Sequence, residues 1–119
     1  MRRVKVGILG TGGIFRGAHL RGYLQVPEAQ IVAMQDINKD SLLNAMQALK
    51  TSFEARSEEE EKRGRVEEAR QWREDLKQVK LYDSAEEMLA KEKLDLVDIC
   101  TPPAVHADLA IKALRRGIN

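Results

Sequence analysis

The chain has 119 residues, enough for one domain with a single core. Its 20 basic and 19 acidic side chains leave a formal charge of +1. This near balance gives no electrostatic reason to expect nucleic acid or an anionic membrane as a partner. We expect a cytoplasmic protein, because no apolar run approaches the ~20 residues of a membrane helix, Met-Arg-Arg leads directly into a strand without a signal peptide, and the single cysteine suits a reducing compartment.

The first predicted elements are a strand, a glycine turn and a helix. The strand covers residues 4–9, the turn is Gly10-Thr11-Gly12-Gly13, and the helix covers residues 14–25, with Ile14, Ala18 and residues 20–24 on its inner face. Such a unit presents the positive end of a helix to a phosphate. Gly10 can form the tight turn, and Gly12 leaves the backbone open to a pyrophosphate. Phosphate binding is therefore predicted here, with an ordinary strand-to-helix turn as the alternative.

A second strand is predicted over residues 30–35, and Asp36 follows it. In doubly wound folds, an acidic residue about twenty positions after the glycine turn binds the adenosine ribose. A carboxylate there also repels the 2′-phosphate of NADP, so NAD is favoured, although Arg16 and Lys39 are nearby cations. The alternative for Asp36 is a helix cap or a solvated side chain.

The next segment predicts a helical hairpin. Asn38 is a suitable N-cap, and the helix that follows carries an apolar stripe, but residues 54–65 are almost entirely charged. We expect a reversal near Gly64, which makes residues 50–78 a charged helical-hairpin insertion anchored by Trp72. The alternative is a partly disordered charged loop. Three pairs have the helix-supporting i,i+4 spacing: Glu58/Lys62, Glu59/Arg63 and Glu61/Arg65.

The remaining elements alternate strand and helix. A short strand is predicted over residues 80–82, a helix capped by Ser84, a strand over residues 94–100, and a helix over residues 104–116. In the strand order usual for this fold, the strand over residues 94–100 lies at the edge of the sheet. Residues 118–119 look like the first step of a further strand.

Two segments together resemble the Gfo/Idh/MocA oxidoreductases, the glucose–fructose oxidoreductase and inositol dehydrogenase group. One is the glycine turn with its helix, through His19. The other is residues 95–106, a strand that ends in Thr101-Pro102-Pro103, with His106 three residues on. The resemblance covers nearly the whole chain apart from residues 50–78. It implies an α/β fold, a Rossmann-like doubly wound parallel sheet that binds NAD, with NADP less favoured.

The resemblance also implies roles for particular residues. Asp36 is expected to bind the adenosine ribose. Thr101, Pro102, Pro103 and His106 are expected beside the nicotinamide end, with a plain strand stop and an exposed helix-start histidine as the alternatives. The pyrophosphate is expected against the turn, formed by Gly10, Thr11, Gly12, Gly13, Ile14 and Phe15.

The chain departs from the family pattern in three places. Phe15 stands where a third small residue is usual, so we expect Gly17 to supply close packing and Phe15 to cover the cofactor. Residues 50–78 exceed the usual connection. Family members continue beyond Asn119 into a Glu-Lys-Pro segment and a second α/β domain, so we expect an incomplete sheet at the C-terminal side, a catalytic domain outside this chain, and no catalytic residue within it.

These observations predict the cofactor domain of an NAD-dependent oxidoreductase acting on a sugar- or cyclitol-like alcohol. The chain alone is expected to bind the dinucleotide without turnover, and its polyol or sugar substrate would be met through the missing domain. The alternative is a self-standing NAD-binding or sensing module that forms a homo-oligomer by pairing strand edges. A third possibility is another nucleotide, such as an adenosine-containing methyl donor.

Other chemistry finds no support in the sequence. No metal-ligand spacing and no Ser/His/Asp arrangement is visible. Cys100 has no second thiol and no evident basic partner, so we expect it to act as a small buried apolar residue. His19 is expected to be a packing group, or a residue that supports the site without contacting the reacting atoms, and not a catalyst.

Overall fold

The strands form one parallel sheet. The computed structural model describes residues 2–119, with strands β1 (Val4–Leu9), β2 (Ala29–Gln35), β3 (Lys80–Tyr82) and β4 (Leu96–Ile99). Their order is β3-β2-β1-β4, and each neighbouring pair is parallel. This confirms the predicted Rossmann-like α/β class. β4 is shorter than predicted, although the amides of Asp95 and Cys100 still bond to β1 carbonyls, at 2.8 and 2.7 Å.

Helices connect the strands on both faces. A π-helical segment (Phe15–His19) leads into α1 (Leu20–Tyr23) after β1, and α5 (Pro103–Arg115) follows β4. α2 (Lys39–Lys62) and α3 (Val66–Gln78) lie between β2 and β3, and α4 (Ala85–Lys91) lies between β3 and β4. The predicted caps are confirmed, since Asn38 Oδ1 accepts from the Ser41 amide at 3.0 Å and Ser84 Oγ from the Glu87 amide at 3.2 Å.

The sheet separates two apolar cores. On one face, β1 and β2 pack against the π-helical segment, α2 and α3 through residues such as Ile8, Phe15 and Leu49. On the other face, Met88 and Leu89 of α4 and Ala113 of α5 pack against the strands. Alternating strand residues supply the two faces, which is why a sheet covered on both sides has nearly continuous apolar strands.

The first helix turn differs from the predicted one. Ile14 is 61% exposed, and Ala18 is also exposed, although both were expected on the inner face. Leu20 is buried, as predicted, and Phe15 is buried in place of Ile14 and Ala18. The Leu20 amide bonds to the Phe15 carbonyl. A π-helical turn bonds residue i to i+5, so the inward positions are five apart and not three or four apart.

The helical hairpin forms as predicted and turns at Gly64, which has φ +76°. α2 and α3 pack through Phe53 and Trp72, whose rings meet edge to face at 4.9 Å. Of the three predicted i,i+4 ion pairs, Glu59–Arg63 forms, at 3.0 Å. Among residues 2–119, Glu58 and Lys62 form no ion pair. Glu61 and Arg65 pair with other residues: Glu61 with Arg73 of α3, and Arg65 with the buried Glu60, which also binds Arg56.

The outer edge of β4 is partly occupied by the chain itself. The Val97 amide donates to the Asn119 carbonyl at 2.7 Å, and the Asn119 amide donates to the Asp95 carbonyl at 3.4 Å. Residues 118–119 thus begin to pair with β4, as predicted. Within the described part of the chain, no helix has the length and apolar character needed to cross a membrane.

Candidate cofactor site

A cleft of about 460 Å³ opens where the parallel strands end. It lies at the carboxyl ends of β1, β2 and β4, where the strand order reverses between β1 and β4. Open α/β sheets bind ligands at this switch point, because the helices that follow the two strands leave toward opposite faces. The cleft is lined by Gly10, Gly12, Gln35, Asp36, Ile37, Asp83, Ser84, Ala85, Glu86, Cys100, Thr101, Pro102, Val105, Asp108, Leu109 and Lys112.

Gly10 brings the ends of β1 and β4 together. It has φ +92°, and an added Cβ would lie 2.9 Å from both the carbonyl carbon and the oxygen of Cys100. Its amide donates to the Gln35 carbonyl of β2 at 2.8 Å. Both the left-handed backbone and the close approach require glycine at this position.

Gly12 leaves open space where a ligand would lie. It lines the cleft, and an added Cβ would have no non-neighbouring protein atom within 4 Å. The helical bonding starts here, since the Arg16 amide donates to the Gly12 carbonyl at 3.1 Å. Amides earlier in the turn have no carbonyl one turn before them, so they are suited to bind an anion. The geometry therefore fits a pyrophosphate.

Asp36 holds the glycine turn in place. Its Oδ2 accepts hydrogen bonds from the Thr11 amide at 2.8 Å and from the Thr11 hydroxyl at 3.0 Å. Its Oδ1 accepts from the Asn38 amide at 2.8 Å. A carboxylate has about four acceptor positions, so one position on Oδ1 is left for a ligand hydroxyl.

Thr101 carries an unpartnered polar atom at the cleft. Its hydroxyl oxygen is buried and has no hydrogen-bond partner among residues 2–119. Because an unsatisfied buried hydroxyl costs about 1–3 kcal/mol, a ligand that supplies a partner here gains that energy. Together with the opening at Gly12 and the free position on Asp36, this shows that the residues present fit a dinucleotide.

The structure divides the predicted site residues into those that line the cleft, those buried beneath it and those exposed outside it. Gly10, Gly12, Asp36, Thr101 and Pro102 line the cleft. Thr11 is fully buried beneath it. Gly13, Ile14, Pro103 and His106 are exposed and lie outside the lining described above, so their contact with a cofactor stays a prediction.

Phe15 does not cover the cleft. The side chain is fully buried in the apolar core against β1 and β2, which corrects the expectation that it would lie over the cofactor. The π-helical turn directs it inward, as described above. Any contribution of Phe15 to a pyrophosphate site must therefore come from its backbone.

The far wall of the cleft, formed by the start of α4 and by α5, was not predicted from the sequence. Ser84, Ala85 and Glu86 at the start of α4 face residues of α5. The Lys112 ammonium bridges the two helices, 2.9 Å from Glu86 and 3.2 Å from Asp108. The hydrogen bond to Glu86, followed by that to Asp108, raises the pKa of Lys112. The capping pattern at Ser84 located α4, but it could not show that α4 meets α5.

A polar cluster behind the cleft was also missed. His19 Nδ1 lies 2.7 Å from Asp98 Oδ2, and the Tyr23 hydroxyl donates to the same oxygen at 2.9 Å. Cys100 Sγ lies 3.3 Å from His19 Nδ1 and 3.5 Å from Asp98 Oδ1. Burial, reinforced by the Asp98 charge, raises the pKa of the Cys100 thiol to about 12 and also raises the pKa of Tyr23. Cys100 packs against the apolar core, as expected, but its thiol also contacts His19 and Asp98, which the sequence did not indicate.

The fold and the cleft define a dinucleotide-binding Rossmann domain. The family model for the Gfo/Idh/MocA group, an oxidoreductase family with an NAD-binding Rossmann fold, matches residues 4–119. The chain belongs to the Gfo/Idh/MocA oxidoreductases and forms their NAD-binding domain. Comparison with curated protein sequences gave no match.

Solved structures share this fold. The WlbA dehydrogenase from Bordetella pertussis, in complex with NADH and UDP-GlcNAcA, has a TM-score of 0.70 and 21% identity over 99% of the chain. The scyllo-inositol dehydrogenase from Lactobacillus casei, with bound NAD(H) and scyllo-inositol, gives 0.65 and 17% over 98%. A myo-inositol dehydrogenase from Corynebacterium glutamicum gives 0.64 and 18% over 98%. The chain spans 26% of the length of each.

Proposed function

We propose that this chain is the cofactor domain of an NAD-dependent oxidoreductase that transfers a hydride between nicotinamide and a sugar- or cyclitol-like alcohol. The observation that carries the proposal is the cleft at the strand ends, with its opening at Gly12 and the unpartnered hydroxyl of Thr101. When bound, NAD supplies the nicotinamide C4 that accepts or donates the hydride. The substrate class is supported by neighbours that carry UDP-GlcNAcA or scyllo-inositol.

The glycine turn would bind the pyrophosphate of the cofactor. Gly12 allows the phosphates to approach the backbone, and the amides of the first helical turn supply partial positive charge. Arg16 Nε is held 3.2 Å from the Thr11 carbonyl, so its guanidinium lies beside the same turn. Thr101 and Pro102 line the cleft at the end of β4 and would flank the nicotinamide end.

Asp36 would bind the adenosine ribose through its remaining acceptor position and favour NAD over NADP. A 2′-phosphate there would meet the Asp36 carboxylate, and Asp83 and Glu86 line the same cleft. Repulsion between these carboxylates and the 2′-phosphate would oppose the binding of NADP. Lys112 does not offset them, because Glu86 and Asp108 already pair with it.

Binding of NADH tests the proposal directly. We expect saturable binding by the 119-residue chain, weaker binding of NADPH, and about a tenfold loss of NADH affinity in Asp36→Ala, as for one hydrogen bond to a charged group. Asp40→Ala, an exposed carboxylate in the first turn of α2, is the matched control and should bind like the wild type. Absence of saturable NADH binding, or its displacement by an adenosine-containing methyl donor at lower concentration, would contradict the proposal.

A catalytic domain outside this chain completes the proposal. It is supported by the 26% of the neighbours' length that the chain spans. We expect no NADH formation when the chain is mixed with NAD and inositol or sugar substrates. An antibody against the chain should detect a native protein several times the size of this chain, since the chain spans 26% of the length of these neighbours. A native protein of the size of this chain would overturn this part of the proposal.

The alternative, a module that dimerises through β4, is less well supported. Asn119 already occupies backbone positions of Asp95 and Val97 on the outer edge of β4. A second copy could pair there only by displacing those bonds. Sedimentation should therefore show a monomer at micromolar concentration, whereas a dimer that persists on dilution would favour the module.

A further inference from the structure

The strongest unassigned feature is the cluster of His19, Asp98 and Cys100 behind the cleft. Asp98 lies in β4, and Cys100 follows directly after the strand and still bonds to β1. The two residues are two positions apart in extended chain, so their side chains share the face that packs against the helix after β1. His19 reaches them from the last position of the π-helical segment. The sheet joins the two segments, because β1 and β4 pair with Ile8 opposite Asp98.

We propose that His19, Asp98 and Cys100 form a three-ligand binding site for Zn²⁺. Their imidazole nitrogen, carboxylate oxygen and sulfur atoms all lie within 4.8 Å of one another. Zinc binds thiolate, imidazole and carboxylate, and it commonly takes three protein ligands with a fourth position open. Mg²⁺ and Ca²⁺ prefer oxygen ligands, so a site with sulfur and nitrogen disfavours both. The proposal does not depend on the cofactor function.

The spacing of the donors suits tetrahedral coordination. With zinc bond lengths of ~2.0 Å to nitrogen or oxygen and ~2.3 Å to sulfur, tetrahedral donors stand roughly 3.3–3.6 Å apart. Cys100 Sγ lies 3.3 Å from His19 Nδ1 and 3.5 Å from Asp98 Oδ1. His19 Nδ1 contacts the other oxygen of the same carboxylate, Asp98 Oδ2, at 2.7 Å. Coordination through a single oxygen therefore requires a small rotation of the Asp98 side chain, and through Oδ2 also a lengthening of this distance by roughly half an ångström.

The cluster is accessible to an ion and supported by a further residue. The His19 side chain is 38% exposed and that of Asp98 is 17% exposed, so an ion can enter from solvent and keep a water as fourth ligand. The Tyr23 hydroxyl donates to Asp98 Oδ2 at 2.9 Å and would orient the carboxylate, as residues behind metal ligands commonly do.

Zinc binding would release one proton and move another. The Cys100 thiol loses its proton to solvent when sulfur coordinates the ion, as coordinated thiols do. The hydrogen that His19 Nδ1 shares with Asp98 moves through solvent to Nε2, which leaves Nδ1 free to coordinate. Since Cys100 also lines the cofactor cleft, the ion would fix the wall formed by the end of β4.

Cobalt titration tests the site, because Co²⁺ replaces Zn²⁺ at such sites and a cobalt–thiolate bond gives a charge-transfer band. The chain has a single cysteine, so any such band reports on Cys100. We expect a band that saturates at one equivalent of Co²⁺ and is bleached by Zn²⁺. His19→Gln and Asp98→Asn should each weaken binding more than about tenfold, and Cys100→Ser should abolish the band.

His106→Gln is the matched control, since the chain has two histidines and His106 is exposed on α5. It should leave the cobalt band unchanged. Circular dichroism verifies that each variant is folded, and the wild-type titration needs no variant at all. No cobalt–thiolate band in the wild type, or equal effects of His19→Gln and His106→Gln, would overturn the proposal.

Discussion

Asp36 accepts two hydrogen bonds from Thr11, one from the backbone amide at 2.8 Å and one from the hydroxyl at 3.0 Å. The end of β2 thereby fixes the glycine turn that follows β1. The residue predicted to recognise the ribose also shapes the turn that is predicted to bind the pyrophosphate. A substitution of Asp36 therefore changes two parts of the site together, whereas Thr11 offers a way to separate them.

Thr11→Val removes the hydroxyl while keeping the shape of the side chain and the amide bond to Asp36. The variant should lose about 1–2 kcal/mol of stability, because it deletes a buried hydrogen bond to a carboxylate. It should also weaken NADH binding through the loosened turn. Urea unfolding and NADH titration measure the two effects. Thr51→Val is the control, since Thr51 is exposed on α2; equal losses in both variants would contradict this role.

Gly10→Ala should be among the more damaging single substitutions. The residue has φ +92°, and the new methyl group would lie 2.9 Å from the Cys100 carbonyl. Left-handed strain costs about 1–2 kcal/mol and overpacking about 1–3 kcal/mol, so the free energy of unfolding should fall by about 2–5 kcal/mol. Gly13→Ala, which meets no such neighbour, is the control, and a comparable loss there would refute the explanation.

Gly12→Ala should separate binding from folding. An added Cβ meets no non-neighbouring protein atom within 4 Å, so stability should change by less than about 0.5 kcal/mol. NADH affinity should fall at least tenfold if the pyrophosphate lies against this residue. Retention of wild-type affinity would place the phosphates elsewhere in the cleft.

Phe53→Ala should destabilise the hairpin and the core beneath it. Phe53 is 3% exposed and packs edge to face on Trp72, and truncation of a buried phenylalanine costs about 3–5 kcal/mol. Thermal unfolding followed by circular dichroism measures the loss. Val66→Ala, at a position 65% exposed, should be nearly neutral; a small effect of Phe53→Ala would mean that the hairpin is not packed in solution.

The free energy of unfolding should depend on pH in the alkaline range, through the titration of Tyr82. A hydrogen bond to the Glu92 carboxylate raises the pKa of Tyr82 from 10.0 to about 12. A folded-state pKa above the unfolded value means that the contribution is complete below pH 10 and lost as the pH rises toward 12. The stability difference between wild type and Tyr82→Phe should therefore shrink over this range in urea unfolding. Glu92→Gln, which removes the charge, should behave like Tyr82→Phe, and a constant difference would contradict the assignment.

Local patterns were sufficient to predict the strands, the caps and the hairpin. β1 follows from its β-branched apolar run, and the reversal at Gly64 follows from an apolar stripe that stops and resumes. The position of Phe15 was not predictable in this way, because a π-helical turn changes which residues face inward without changing the composition. The ion pair of Glu61 with Arg73 depends on how α2 lies against α3, which helical spacing within α2 cannot specify.

The same limit applies to the site. Gly10, Gly12 and Asp36 were predicted because their chemistry lies in a short motif with fixed spacing. His19 and Asp98 lie 79 positions apart in the chain and meet only because β1 pairs with β4. The far wall of the cleft likewise depends on the packing of α4 against α5. The resemblance to the family identified the cofactor class, whereas these contacts required the fold.

The helical hairpin makes one end of the molecule available for attachment. α2 starts three residues after Asp36 and has 24 residues, which at 1.5 Å per residue carries the turn at residues 63–65 roughly 36 Å along the helix axis. Gly64 has open space around it. A fluorophore, an affinity tag or a surface linker placed at this turn should leave the cleft undisturbed, so the domain can be immobilised or labelled there as a reporter of nicotinamide cofactor levels.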